Sequence, residues 1–277
     1  MTTHLAPSEL EAMARRMRGR ILDISLTCNG NVHMGGGLSL VEILATLYGT
    51  VLKFDPKNPQ WEERDRFILS KGHGVLGFFA ALVESGIISE EVFNSFKKNE
   101  SDLIAHPVMN SALGIESSNG SLGQGLSFAV GLALAARKKK AAHGIYVVLG
   151  DGECDEGMVW EAAMSAAHYK LEALTAIVDL NRYQSDGESV KVLNTSSLHD
   201  KWTAFGWEAV PVDGHDVAAL LEAFKRKAGN SKPKVVIAHT VKGKGISFME
   251  NNNEWHHNRL TKSSYDKAIV EIRGGTC

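Results

Sequence analysis

The sequence predicts a doubly wound α/β fold, a mainly parallel sheet with helices on both faces, and three observations carry that prediction. Short apolar, β-branched runs at 145–149 (IYVVL), 174–180 (LTAIVDL) and 235–241 (VVIAHTV) are bounded by glycine or polar turns, as buried parallel strands are. Segments of helical period separate them, so strand, helix and strand alternate as in a βαβ unit. Apolar residues make up 44% and charged residues 22% of the 277, enough to bury one sizeable core and too balanced for a disordered or fibrous chain. With no internal repeat or linker, residues 1–277 read as a single domain.

From Ser8 to Cys28, Leu10, Met13, Met17 and Ile21 recur at helical spacing with Arg15, Arg16 and Arg18 between them, the pattern of an amphipathic helix. The glycine-rich NGNVHMGGG (29–37) separates it from a second helix over 38–51, which the two prolines of FDPKNPQ stop. Further helices are expected over 74–84, over 89–97 with Ser89 as N-cap, and over 123–139. The strand at 145–149 runs into the turn Gly150-Asp151-Gly152, then a helix over 159–170, then the strand at 174–180. WEAVPV (207–212) is a third strand candidate. It leads through Asp213-Gly214-His215 to a helix carrying Val217, Leu220, Leu221 and Phe224 on one face, with Asp216 as N-cap. The last strand opens into the loop KGKG (242–245). Beyond it MENNNEWHHN (249–258) has no periodicity, and 258–277 reads as a C-terminal extension.

Composition narrows the function. The 30 Lys and Arg against 32 Asp and Glu give a formal charge of −2, without the basic footprint of a nucleic-acid binder. Cys28, Cys154 and Cys277 are odd in number and form no CxxC pair, so neither a disulfide framework nor a zinc ribbon is expected, and a reducing compartment fits. No apolar run reaches membrane-spanning length and the N-terminus lacks an apolar leader core, so a cytoplasmic location is expected.

In open parallel sheets, ligands sit outside the carboxyl ends of the strands. Gly150, Asp151 and Gly152 lie there. The glycines permit a tight turn and close backbone approach to a phosphate, and Asp151 offers a hard oxygen suited to Mg²⁺. Asn181 stands at the end of the next strand, where its amide oxygen can share that cation. A bare GDG is most often only a turn; paired with Asn at the neighbouring strand end it becomes specific. The dinucleotide alternative needs GxGxxG, which Gly150, Gly152 and Gly157 do not match, although Asp179 could mimic its ribose-binding acid. A histidine-held zinc is disfavoured by the absence of HExxH and of Cys/His pairs.

Strand-end GDG followed by Asn is the diphosphate–magnesium signature of thiamine diphosphate enzymes, and four further segments resemble transketolases in the family's order. These are NVHMGGGLS (31–39), DRFILSKGHG (65–74), IESSNGSLGQGLSFAVGLALA (115–135) and TVKGKGISFMENNNEWHH (240–257). The resemblance runs from about Arg15 to His257, the N-terminal half of a full-length transketolase, and so implies the thiamine diphosphate-binding, PP-type domain. It implies Mg²⁺ held by Asp151, the Asn181 side chain and the Tyr183 carbonyl. It also implies that His73 and His256 reach the diphosphate and line the substrate channel, that the Gly152 N–H meets a phosphate oxygen, and that Gly120 and Leu122 lie against the cofactor rings. His33 and His106 match histidines that face substrate hydroxyls and the carbonyl oxygen. Glu156 matches a member of a carboxylate network across the interface between chains, although an ordinary first-turn helix acid would look the same. His4, His143, His168, His199, His215 and His239 read as surface or satisfied core residues.

The activating glutamate and the sugar-phosphate grip of the family belong to the half that this sequence does not match. The resemblance therefore implies a second chain with the pyrimidine-binding and C-terminal domains, an αβ pair doubled to a heterotetramer, and ketol transfer from a ketose (phosphate) donor to an aldose acceptor. Met34 stands where Pro is common in the family, and IAHPV around His106 where PGHPE is usual; both flank the substrate side and favour a specialised ketose. Other readings are a deoxyxylulose phosphate synthase-like or 2-oxo acid dehydrogenase α-subunit-like half enzyme, and a non-catalytic cofactor-binding subunit.

Overall fold

The structure, a computed structural model, describes residues 4–28, 30–194, 197–229 and 231–274, so Asn29 of the glycine-rich stretch and Cys277 lie outside it. Helix α1 (Pro7–Thr27) buries Leu10, Met13, Met17 and Ile21, the stripe its period predicts. The glycine-rich stretch is a short helix, α2 (Met34–Leu38), where an interruption was expected. Its glycines are there for closeness: a Cβ on Gly37 would stand 3.2 Å from the backbone nitrogen of Gly77. The single helix expected over 38–51 is two pieces, α3 (Val41–Thr46) and a π-helical turn (Leu47–Val51).

Strand β1 (Arg66–Leu69) follows, unanticipated because four residues carry no readable period. Then come α4 (Val75–Glu84) and α5 (Glu90–Phe93), which Ser89 caps as expected by accepting from the Val92 N–H at 3.2 Å, though it ends earlier than predicted. Helix α6 (Gln124–Lys139), strand β2 (Ile145–Gly150), helix α7 (Gly157–His168) and strand β3 (Leu174–Leu180) form the expected βαβ core. Beyond β3 lie a two-residue hairpin, β4 (Tyr183–Gln184) with β5 (Gly187–Glu188), and the short helices α8 (Ser189–Val192) and α9 (Leu198–Ala204). Strand β6 (Glu208–Asp213), helix α10 (Val217–Lys225) and strand β7 (Lys234–His239) complete the sheet; Asp216 caps α10 through its Oδ1, 3.0 Å from the Ala219 N–H. The expected C-terminal extension contains helix α11 (Lys262–Gly274), which packs on α1.

The five strands run parallel in the order β1-β2-β3-β7-β6. Alternate strand residues face two cores. Val148, Ile177 and Val236 meet α1, α3, α4 and α10, whereas Val147, Val178 and Ile237 meet α6, α7 and α9. After β3 the chain leaves for the edge strand β6 and returns through β7. The winding therefore reverses between β3 and β7, and the carboxyl ends beside that reversal are where ligands bind in such sheets.

Candidate active site

The parallel register places Gly150 of β2 opposite Asp179 of β3, so Asp151 and Asn181 emerge side by side from adjacent strand ends. Together with Gly152, Tyr183, His73, His256 and Leu122 they line one narrow cleft of about 100 Å³. Asp151 is buried, and its Oδ2 accepts from the Ser189 hydroxyl at 2.9 Å. Burial, and then the nearby Asp179 carboxylate, push its carboxyl up to about 6. The Asn181 amide is oriented by its neighbours: Nδ2 donates to Asp179 Oδ2 at 2.8 Å, and Oδ1 accepts the Tyr183 N–H at 3.1 Å with one lone pair to spare.

Asp179 organises this end of the sheet. Fully buried, it accepts from Ser39 Oγ at 2.7 Å, from Asn181 Nδ2, from Thr240 Oγ1 and from Lys71 Nζ. Burial, the largest single influence, would raise its carboxyl, but Lys71 and the hydrogen bonds from Thr240 and Ser39 together hold it below the usual carboxylate range. A second buried cation, Lys242, enters from the loop after β7. Its Nζ lies 2.7 Å from His256 Nδ1 and 3.2 Å from Asn253 Oδ1, near the carbonyls of Tyr183 and Gln184. Burial, then Lys71, bring its ammonium down to about 8.

The four predicted histidines converge. His33 lies 5.7 Å, ring to ring, from both His73 and His106 and 5.5 Å from His256, while His73 and His256 are 5.4 Å apart. A fifth imidazole, the exposed His257, sits 4.4 Å from His33. Among the described residues no cluster of three or more His, Cys, Asp and Glu is arranged to hold a metal ion. Burial and then His257 push His33 down to about 3; burial and then Lys242 push His256 to about 4. Burial and Lys71 hold His73 well below the ordinary imidazole value. These rings are neutral near pH 7, able to donate from one nitrogen and accept at the other.

An unfolded chain regains imidazoles that titrate near 6.5, so between about 4 and 6.5 unfolding takes up protons and acid destabilises the fold. Asp151, raised to about 6, contributes the opposite slope over much of that window. The difference between wild type and His33→Asn isolates the histidine. On lowering the pH from about 7 to about 5, the melting temperature of wild type should fall relative to that of the variant; parallel curves would remove His33 from this account.

Glu156 sits exposed at the start of α7 and does not line the cleft, and Gly120 lies beside the His106 ring. At Gly123, with φ of 82°, an added Cβ would stand 2.8 Å from Cβ of Glu156, so only glycine lets the start of α6 pass that close. Lys71, Asp179, Lys242 and Glu153 join the site although their roles could not be read from the sequence. The Glu153 carboxylate accepts from Ser70 Oγ and from the Gly123 and Gly150 N–H groups, both at 3.0 Å, and so ties the Gly123 loop to the ends of β1 and β2. The available signal was a lysine beside glycine at two strand ends, in SKGHG and VKGKG.

Two buried ammonium groups, a glycine-lined turn and clustered imidazoles meet at the carboxyl edge of the sheet of this α/β protein. Residues 12–271 match the family "Transketolase, thiamine diphosphate binding domain". The chain is 42% identical over 270 residues to one chain of the apulose-4-phosphate transketolase of Actinobacillus succinogenes, covering 98% of each. It is also 42% identical over 241 residues to a 6-deoxy-6-sulfo-D-fructose transketolase subunit of a Clostridium species, covering 87% of this chain and 88% of that one. The crystal structure of Campylobacter jejuni transketolase superposes with a TM-score of 0.89 at 30% identity, over 97% of this chain and 43% of that one. The chain belongs to the transketolase thiamine diphosphate-binding family, and it spans less than half the length of the solved transketolases it matches.

Proposed function

We propose that the chain is the cofactor-binding subunit of a two-chain transketolase, which with thiamine diphosphate and Mg²⁺ moves a two-carbon ketol unit from a ketose or ketose phosphate to an aldose. The observation that carries this reading is that Asp151, Asn181 and Tyr183 line one cleft together with Lys71, His73 and His256, with Lys242 held against His256. The donor chemistry fits both groups. Three hard oxygens suit Mg²⁺, and the influence of Lys71 on Asp151 does not offset the burial and the Asp179 carboxylate that raise it. The Gly152 N–H, Lys242 and the two histidines suit a diphosphate.

Bound thiamine diphosphate would supply the nucleophilic carbon and the electron sink for the transferred unit. The protein's part is placement and proton handling. Asp151, Asn181 and Tyr183 would hold the cation, with Asp179 fixing the Asn181 amide so that Oδ1 is the atom presented. Leu122 offers apolar support to the cofactor rings, and Gly120 a backbone contact. His33, His106, His73 and His256, kept neutral by burial, can accept a proton from a substrate hydroxyl or donate one to a carbonyl oxygen.

Two observations support a separate partner chain with the pyrimidine-binding and C-terminal domains. The apulose-4-phosphate transketolase relatives are themselves named as single subunits and have nearly this chain's length. Helices α6 and α7 expose Phe128, Met158 and Met164 beside glycines 131 and 157, whose outer sides are open. Glu156, at the head of α7, would reach toward a partner carboxylate from that face. We place the assembly, an αβ pair doubled to a heterotetramer, in the cytoplasm; among the described residues no helix is long and apolar enough to cross a membrane. Substitution Met164→Asp should weaken association with the partner by at least about tenfold in sedimentation analysis while leaving the melting temperature near that of wild type; unchanged association would remove α7 from the interface.

The function is tested by reconstitution. The chain plus its companion chain should consume a ketose and lengthen an aldose, and the chain alone should not. Turnover by the isolated chain at an ordinary enzymatic rate, or CO₂ release from pyruvate without ketose consumption, would overturn the reading.

A further inference from the structure

We propose that Arg18, Glu42 and His215 form a clamp that positions Lys242 for the cofactor's diphosphate, acting through the backbone of the loop that carries it. The proposal rests on the reading of the cleft given above. Lys242 is buried against the cleft residues His256, Tyr183 and Gln184, on a flexible four-carbon stem from a loop, 241–245, that belongs to no strand or helix. Gly243 and Gly245 take φ of 79° and 92°, so the loop follows an irregular path with no ladder of hydrogen bonds to locate it.

Both ends of this loop are held by one buried ionic network. At the start, the Val241 N–H donates to His215 Nε2 at 2.8 Å. At the far end, Arg18 Nε donates to the Lys244 carbonyl at 3.0 Å. The two holders meet on one carboxylate: His215 Nδ1 lies 2.9 Å from Glu42 Oε2, and an Arg18 amino group lies 2.6 Å from Glu42 Oε1. Because Nε2 accepts from a backbone N–H, the imidazole carries its proton on Nδ1 and gives that hydrogen bond to Glu42. Burial would raise the Glu42 carboxyl, but Arg18 and then His215 hold it below the usual value.

The clamp joins α1, α3 and the turn between β6 and α10, and none of its side chains lines the cleft. Three other backbone bonds touch the loop: Gly243 N–H to the Gly35 carbonyl at 3.1 Å, Asn251 N–H to the Lys242 carbonyl at 2.9 Å, and Lys244 N–H to the Val241 carbonyl at 3.2 Å, the last closing the turn on itself without tying Val241 or Lys244 to the rest of the fold. A buried ion network is a poor source of net stability, since apolar groups of similar volume often serve as well. What it supplies is direction, with donor and acceptor positions set at both flanks of one residue. Arg18, Glu42 and His215 are positioning residues; Lys242 is the group that meets the ligand.

Amide variants separate the two nitrogens of His215. In the complex with the partner chain, His215→Asn keeps a donor near the Nδ1 position and loses the acceptor, whereas His215→Gln places an oxygen near Nε2 and loses the donor to Glu42. Calorimetric titration with thiamine diphosphate and Mg²⁺ should show affinity lowered about tenfold by Asn and largely retained by Gln, the size expected for one buried hydrogen bond. Hydrogen exchange at the Val241 amide should quicken in the Asn variant only. If both variants bind like wild type while Lys242→Met binds weakly, the clamp is overturned and the cleft reading stands. If Lys242→Met binds like wild type, both are overturned. Should the His215 variants fail to fold, Arg18→Lys decides: it can keep the ion pair with Glu42 but not also reach the Lys244 carbonyl. Weakened binding would support the clamp, and unchanged binding would overturn it.

Discussion

Replacing Asp151 by Asn should abolish Mg²⁺-dependent binding of thiamine diphosphate, lowering affinity by at least about 100-fold, while the fold melts at the wild-type temperature or slightly above. Even outer-shell partners of a metal change affinity by about 10- to 100-fold, and Asp151 is the one anionic side chain among the three proposed protein ligands. Stability should survive because the carboxyl is already strained in the absence of a cation: burial and the Asp179 carboxylate push it up to about 6. A neutral amide removes that repulsion and can still accept from the Ser189 hydroxyl that now meets Oδ2 at 2.9 Å. Calorimetry with and without Mg²⁺ reads the first effect and thermal unfolding the second. Tight, Mg²⁺-dependent binding by the variant would move the cation elsewhere.

The largest loss of stability is expected at Lys71. Lys71→Met leaves the Asp179 carboxylate buried with its hydrogen-bond donors but without its counter-charge, a change that in comparable buried pairs costs about 3–5 kcal/mol. Urea unfolding should show a drop in that range. Adding Asp179→Asn to Lys71→Met should recover most of it, because the uncompensated charge is gone, Ser39 and Asn181 can still donate to an amide oxygen at the Oδ2 position, and the Thr240 hydroxyl can turn to accept from the new NH2. Equal destabilisation in the single and double variants would mean the two groups are not coupled.

How much of this was legible beforehand follows physical lines. The strands at β2, β3 and β7 announced themselves because both their faces are buried, the edge strand β6, where Val210 alone is buried, because a short apolar run ends at a glycine turn, and α1 and α10 because only one face is buried. By contrast β1 is too short to show a period, and α2 is a helix made largely of glycine, held by contact with Gly77 and His73 and not by its own propensity. Helices α9 and α11 were missed although Trp202 and Ala268 are fully buried, because their apolar residues are too sparse to mark a face. In the site, Asp151 and Asn181 could be placed by strand ends alone, and the histidines by the motifs around them. Lys71, Asp179 and Lys242 could not, since a buried charge is spelled like a surface one until its counter-charge is located, and Lys71 and Asp179 lie far apart in the chain. His215 was read as a surface or satisfied core histidine; it is half-buried, with both ring nitrogens in hydrogen bonds.

Asp179 draws donors from α2's C-cap, from the end of β1, from its own strand and from the end of β7, four segments scattered through the chain. Changing any one of their side chains takes a donor from a fully buried carboxylate, and changing Lys71 takes its counter-charge. They are therefore expected to evolve as a block, so that drift in substrate preference has to occur in the segments proposed to face a sugar, around His33, His106 and His257, while the floor of the cleft stays as it is.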